Sequence, residues 1–130
     1  MKITKLEHSG LAVEQGGQTL LCDPVEITEK LPEFGNIIAI VITHQHSDHF
    51  QPVVINNPEI LYCPISAPWC KAFDVVEYIR KFQSKTVIPA HDAVLSNFGK
   101  DIWHAGIGGY CATIGTDFKA LSVGESIAIV

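Results

Sequence analysis

The sequence predicts a mixed α/β (α+β) domain in which an N-terminal antiparallel meander is followed by β-α-β units. Three observations carry this expectation. Short β-rich runs broken by glycine turns open the chain, an unbroken apolar run occupies residues 37–42, and the second half holds a helical pattern flanked by two apolar runs. At 130 residues, 47% apolar and 18% charged, the chain is long enough for one core and too hydrophobic for disorder, so a single domain over 1–130 is expected.

Taken in order, Ile3 to Glu7 and Leu11 to Glu14 are short strand candidates parted by Ser9-Gly10, and Gly16-Gly17 leads into a third over Thr19 to Cys22. Asp23-Pro24 ends that run, because proline cannot donate to a ladder and restricts the residue before it. The run Ile37 to Ile42 suits a strand buried on both faces. Leu61 to Cys63 and Thr86 to Ile88 flank a helical stretch from about Pro68 to Gln83. In it Trp69, Ala72, Phe73, Val76, Ile79 and Phe82 recur at three- and four-residue steps as a core-facing stripe. Ser96 can cap a further helix toward Ile114. Gly106, Gly108 and Gly109 each cost about 1 kcal/mol relative to alanine, which predicts an interrupted or loose helix there. Phe118 to Leu121 and Ser126 to Val130 are expected to close the chain as two short strands.

Fourteen acidic against nine basic residues give a formal charge of -5, which denies the chain the positive field that holds phosphate backbones; no nucleic-acid partner is expected. The start MKITKLEHSG lacks an apolar leader core, and no segment approaches the ~20 apolar residues needed to cross a bilayer, so a cytoplasmic protein without membrane contact is expected. Cys22, Cys63, Cys70 and Cys111 form no C-x-x-C pair and sit beside apolar residues, as reduced thiols packed like small hydrophobes do. The stretch Gly106-Ile107-Gly108-Gly109 is no phosphate loop, since no Gly-Lys-Ser/Thr follows it.

The chemistry is concentrated directly after the buried strand, in the sequence THQHSDH at 43–49. Three of the six histidines and one carboxylate fall within six residues there. In an extended segment His44, His46 and Asp48 project to one side while His49 turns to the other, a geometry that can feed two neighbouring metal ions. Imidazole and carboxylate suit Zn(II), and Mn(II) or Fe(II) are also compatible. His91, in VIPAHD, also lies just past a strand, where a site at the end of the sheet would find it; a single hydrogen bond is the other account of a lone histidine.

THQHSDH resembles the H-x-H-x-D-H signature of the metallo-β-lactamase fold superfamily. KITKLEHSGLAVEQGGQTLLCDP resembles the N-terminal hairpins of its lactonase-like hydrolase branch, and PISAPWCKAFDVVEYIRKFQSKTVIPAHDAVLS its C-terminal strand-helix-strand. The resemblance implies an αββα sandwich in shortened form. It further implies that His44 and His46 serve a first metal and that Asp48, His49 and His91 serve a second. Asp23 would support the metal loop by hydrogen bonding, with an Asx turn before Pro24 as the other reading. His8 would stand near the mouth of the site, or simply close a strand end. His104 matches nothing in the family and is expected at the surface.

The chain departs from the family between the motif and the C-terminal half. The long block that carries a third histidine for the first metal and a bridging aspartate is replaced near residues 50–60 by a short segment; residues 50–90 hold no histidine, and Asp74 is the sole aspartate between Asp48 and His91. The second site thus keeps three protein ligands and the first only two, so one divalent ion per chain is expected, with His44 and His46 weak or empty. Two readings follow. The first is a metal-dependent hydrolase of a small lactone, ester or phosphodiester in which Asp48 or His91 handles the proton; the second is a catalytically inactive metal-binding or oligomerising remnant. Shortening a sandwich should leave apolar surface bare, which a homodimer would cover.

Overall fold

The computed structural model describes residues 1–25, 31–43, 57–68 and 70–128. Among them seven strands form one sheet in which spatial order follows chain order: β1 (Lys2–Lys5), β2 (Leu11–Gln15), β3 (Gln18–Cys22), β4 (Asn36–Val41), β5 (Ile60–Pro64), β6 (Thr86–Ala90) and β7 (Asp117–Phe118). The first three are antiparallel, and every pairing from β3 onward is parallel. Helix α1 (Ala72–Phe82) crosses from β5 to β6, and α2 (Asn97–Thr113) crosses from β6 to β7. The meander and the β-α-β units therefore stand where the sequence places them.

Local chemistry explains each junction. Gly16 and Gly17, with φ of 59° and 79°, fill the two-residue turn between Gln15 and Gln18, where both positions need the left-handed region. Alternation along the strands sends Leu21, Ile40, Ile42, Leu61, Cys63 and Val87 to one face, where they join Val75, Ile79 and Phe82 of α1 and Ile107 and Cys111 of α2 in one core cluster. Each fully buried large side chain there contributes about 1.5–3 kcal/mol. Ala39, Ile60 and Ile88 turn to the other face, which Leu20, Ile38, Leu121 and Ile127 partly cover. The central run is thus buried on both sides, Ile40 at 0% and Ala39 at 6% exposure. Of the sandwich layers, the described residues supply this sheet and the helices on its main face.

Three local expectations are corrected. Helix α1 begins at Ala72 because Cys70 first closes a turn by donating its N–H to the Ala67 carbonyl. Its buried stripe is Val75, Ile79 and Phe82, which turns Phe73 out to 71% exposure; Trp69 lies outside the described residues. Helix α2 runs unbroken through its glycines. The Ser96 hydroxyl caps it by accepting from Gly99 N at 3.1 Å, and Ile107 and Cys111 anchor it in the core. Tertiary burial outweighs glycine propensity there. Gly108 has a positive use, since a Cβ at that position would stand 3.2 Å from the Phe118 ring. After Phe118 the ladder ends: Lys119 N still reaches the Val87 carbonyl, but residues 119–128 form no strand, and 129–130 lie outside the described residues.

Candidate metal centre at the strand ends

Because β3 to β6 are parallel, their C-terminal ends share one edge of the sheet, and the antiparallel pairing of β1 with β2 brings the 6–10 turn to the same edge. Asp23 follows β3, Thr43 follows β4, Ile65 follows β5 and His91 follows β6. Open parallel sheets place their ligands at this edge. His8, Asp23 and His91 are brought there together. His44, His46, Asp48 and His49 lie outside the described residues; their attachment point, Thr43, is placed.

Asp23 is 4% exposed and holds that attachment point. Its N–H continues the ladder to the Val41 carbonyl at 2.9 Å, one carboxylate oxygen accepts from Thr43 N at 2.7 Å, and the other accepts from Thr43 Oγ1 at 2.6 Å. These bonds span twenty residues, so the side chain does far more than close a local turn before Pro24. The 6–10 turn packs beside it. A Cβ on Gly10 would stand 3.0 Å from the Asp23 carbonyl oxygen and 2.8 Å from the Leu6 Cβ, so only glycine lets that turn approach so closely.

His8, Asp23 and His91 share an unusual backbone state, with φ of 53°, 42° and 60°. Left-handed conformation costs a non-glycine residue roughly 1–2 kcal/mol and collects at functional sites where surrounding structure enforces it. The immediate setting of His91 shows such enforcement. Ala90, before it, accepts from Ile65 N at 3.0 Å; Asp92, after it, accepts from Leu95 N at 3.0 Å through its carbonyl.

His104 is the residue that sequence reasoning misplaced. It is half-buried, its Nε2 lies 3.1 Å from Asp92 Oδ2, and its ring stands 5.7 Å from that of Phe118. Lys100 Nζ is 3.7 Å from the same Asp92 oxygen. The available signal was the helix phase: residues 100 and 104 lie one turn apart on the face that looks back at the loop preceding Ser96.

As to donors, both Asp23 oxygens serve Thr43, and among the described residues no group of three or more His, Cys, Asp or Glu side chains is arranged to hold a metal. A ligand set that includes His91, an exposed residue, would need its other donors from 44–49, which lie outside the described residues. The donor chemistry fits a borderline divalent ion, since neutral imidazole and carboxylate are its ordinary ligands. All four thiols are free, and burial pushes Cys70 and Cys111 up to about 11 and raises Cys63 and Cys22 as well. A cavity of about 380 Å³ lined by Asn57, Arg80, Ser84 and Thr116 opens at the opposite edge, away from these groups. Among the described residues no helix is long and apolar enough to cross a membrane.

No curated protein matches the chain. A Parabacteroides distasonis protein that carries the provisional name metal-dependent hydrolase overlaps 91% of both chains at 13% identity and a TM-score of 0.37, too loose a likeness to carry chemistry across. Residues 2–58, which run from β1 through the THQHSDH segment, match the family described as the beta-lactamase superfamily domain.

Proposed function

We propose that the chain is a metal-dependent hydrolase that cleaves a small lactone, ester or phosphodiester with water as nucleophile, holding one divalent ion, Zn(II) first among the candidates, through Asp48, His49 and His91. The convergence of His91, the Asp23-anchored Thr43 and the His8 turn on one sheet edge carries this reading. When bound, such an ion lowers the pKa of its water to about 7 and polarises a carbonyl or phosphoryl oxygen. Asp23 fixes where the ligand segment leaves β4, His91 offers its imidazole from the end of β6, and His8, in the turn that packs against Asp23 through Gly10, is assigned to the mouth. Asp48 or His91 is assigned the proton; Asp74, in α1, is the sole aspartate between them.

That scarcity of aspartate favours the second reading, a scaffold that binds metal or a partner without turnover. Elemental analysis of untagged protein purified without chelator separates the two at the first step. About one equivalent per chain is expected, together with metal-dependent turnover in a panel of lactones and phosphodiesters. Metal without turnover selects the remnant, and no metal after Zn(II) or Mn(II) supplementation overturns the hydrolase.

The chain is further proposed to pair with a second copy. Phe98 and Ile102 lie four residues apart on the first turns of α2, and Val94 stands in the turn just before it; they are 74%, 57% and 76% exposed. Bare apolar surface of this kind favours association. Light scattering at micromolar concentration is expected to give twice the chain mass, and a monomer mass refutes the pairing.

A further inference from the structure

We propose that Asp92 and His104 form a brace that holds the backbone turn at His91 and thereby aims its imidazole, which makes His104 a positioning residue for the site. The inference rests on the reading of His91 as a ligand, but its backbone half is testable without metal.

The turn at His91 is held from both sides. Upstream, Ala90 is paired to β5 and tied to Ile65. Downstream, the Asp92 carboxylate reaches across to α2, where His104 lies 3.1 Å away and Lys100 3.7 Å away. His104 is itself fixed on its far side by Phe118, which pairs with Val87 of β6 and fits over Gly108 of α2. The path from His91 through Asp92, His104 and Phe118 returns to β6, the strand that carries His91. A closed path through a strand and a helix is stiff, and a left-handed histidine persists only where its surroundings insist on it. Residues that orient a metal ligand without touching the metal change affinity by about 10–100-fold when removed.

The test compares wild-type full-length protein with His104→Ala and His104→Gln. Zn(II) affinity is read by calorimetry, and amide exchange at Leu95, whose N–H donates to the Asp92 carbonyl, is read in metal-free protein. His104→Ala is expected to weaken Zn(II) binding about 10–100-fold. It should also speed exchange at Leu95 by about tenfold, with core amides of β4 and β5 unchanged. His104→Gln, which keeps a donor toward Asp92, is expected to restore most of both. Faster exchange confined to 91–95 supports the brace whether or not the wild type binds zinc, and absence of zinc binding in the wild type counts against the metal reading alone. Wild-type exchange in His104→Ala, or a loss spread evenly over the core, overturns the brace, as does an unchanged Zn(II) affinity where the wild type binds.

Discussion

Replacing His91 with glycine is expected to abolish metal uptake while leaving the fold in place. The residue sits at φ 60°, a backbone state glycine adopts freely, so His91→Gly relieves the conformational cost that any other side chain carries there. His91→Ala keeps the conformational cost and removes the imidazole, so it should be the less stable of the two. Both should lose more affinity than the 10–100-fold typical of a residue that merely orients a ligand. Calorimetric titration with Zn(II), paired with urea denaturation of the metal-free variants, reads the two effects separately. Tight binding retained in His91→Gly would remove His91 from the ligand set.

The second large effect is on stability. Asp23→Ala is expected to destabilise the chain by roughly 3–5 kcal/mol, because it deletes two short hydrogen bonds to a carboxylate and leaves Thr43 N–H and hydroxyl without them, while alanine must still hold φ 42°. Bonds to a charged acceptor contribute about 1.5–3 kcal/mol each. Total stability of a domain is only about 5–15 kcal/mol, so the variant should unfold at markedly lower urea. Asp23→Asn keeps the shape, tolerates the left-handed backbone and can still accept from Thr43 N; less than half the loss is expected. A loss under about 1 kcal/mol in Asp23→Ala would show that the bonds to Thr43 are not what holds this edge.

What the sequence makes legible here is local. The run Ile37 to Ile42, the Gly16-Gly17 turn and the Ser96 cap each depend on a handful of neighbouring residues, and each falls where it is expected, with strand ends displaced by one or two positions. The class follows from them. What does not show is closure over distance. Only the shared helix phase of Lys100 and His104 hints at Asp92, and nothing near Gly108 announces Phe118, whose ring makes a glycine useful in the middle of a helix. The phase of α1 slips for the same reason: the Ala67–Cys70 turn sets where winding starts, and a later start turns Phe73 from core to solvent. Of the candidate site, the sequence names the residues, and the sheet adds that His8, Asp23 and His91 stand on one edge.

The sheet order has a consequence for how the chain is built. Among the described residues every strand pairs with the one made just before it, so none of the seven must wedge between two already joined, and each needs only the open margin of its predecessor. Assembly can therefore proceed in one direction as the chain emerges during synthesis, with the meander as seed. The last strand is laid beside β6 only after α2 is complete, so the contact between His104 and Phe118 forms at the end. On the proposed brace, the turn at His91 gains its full support only once β7 is in place, so a chain that stops short of Phe118 would carry His91 without it.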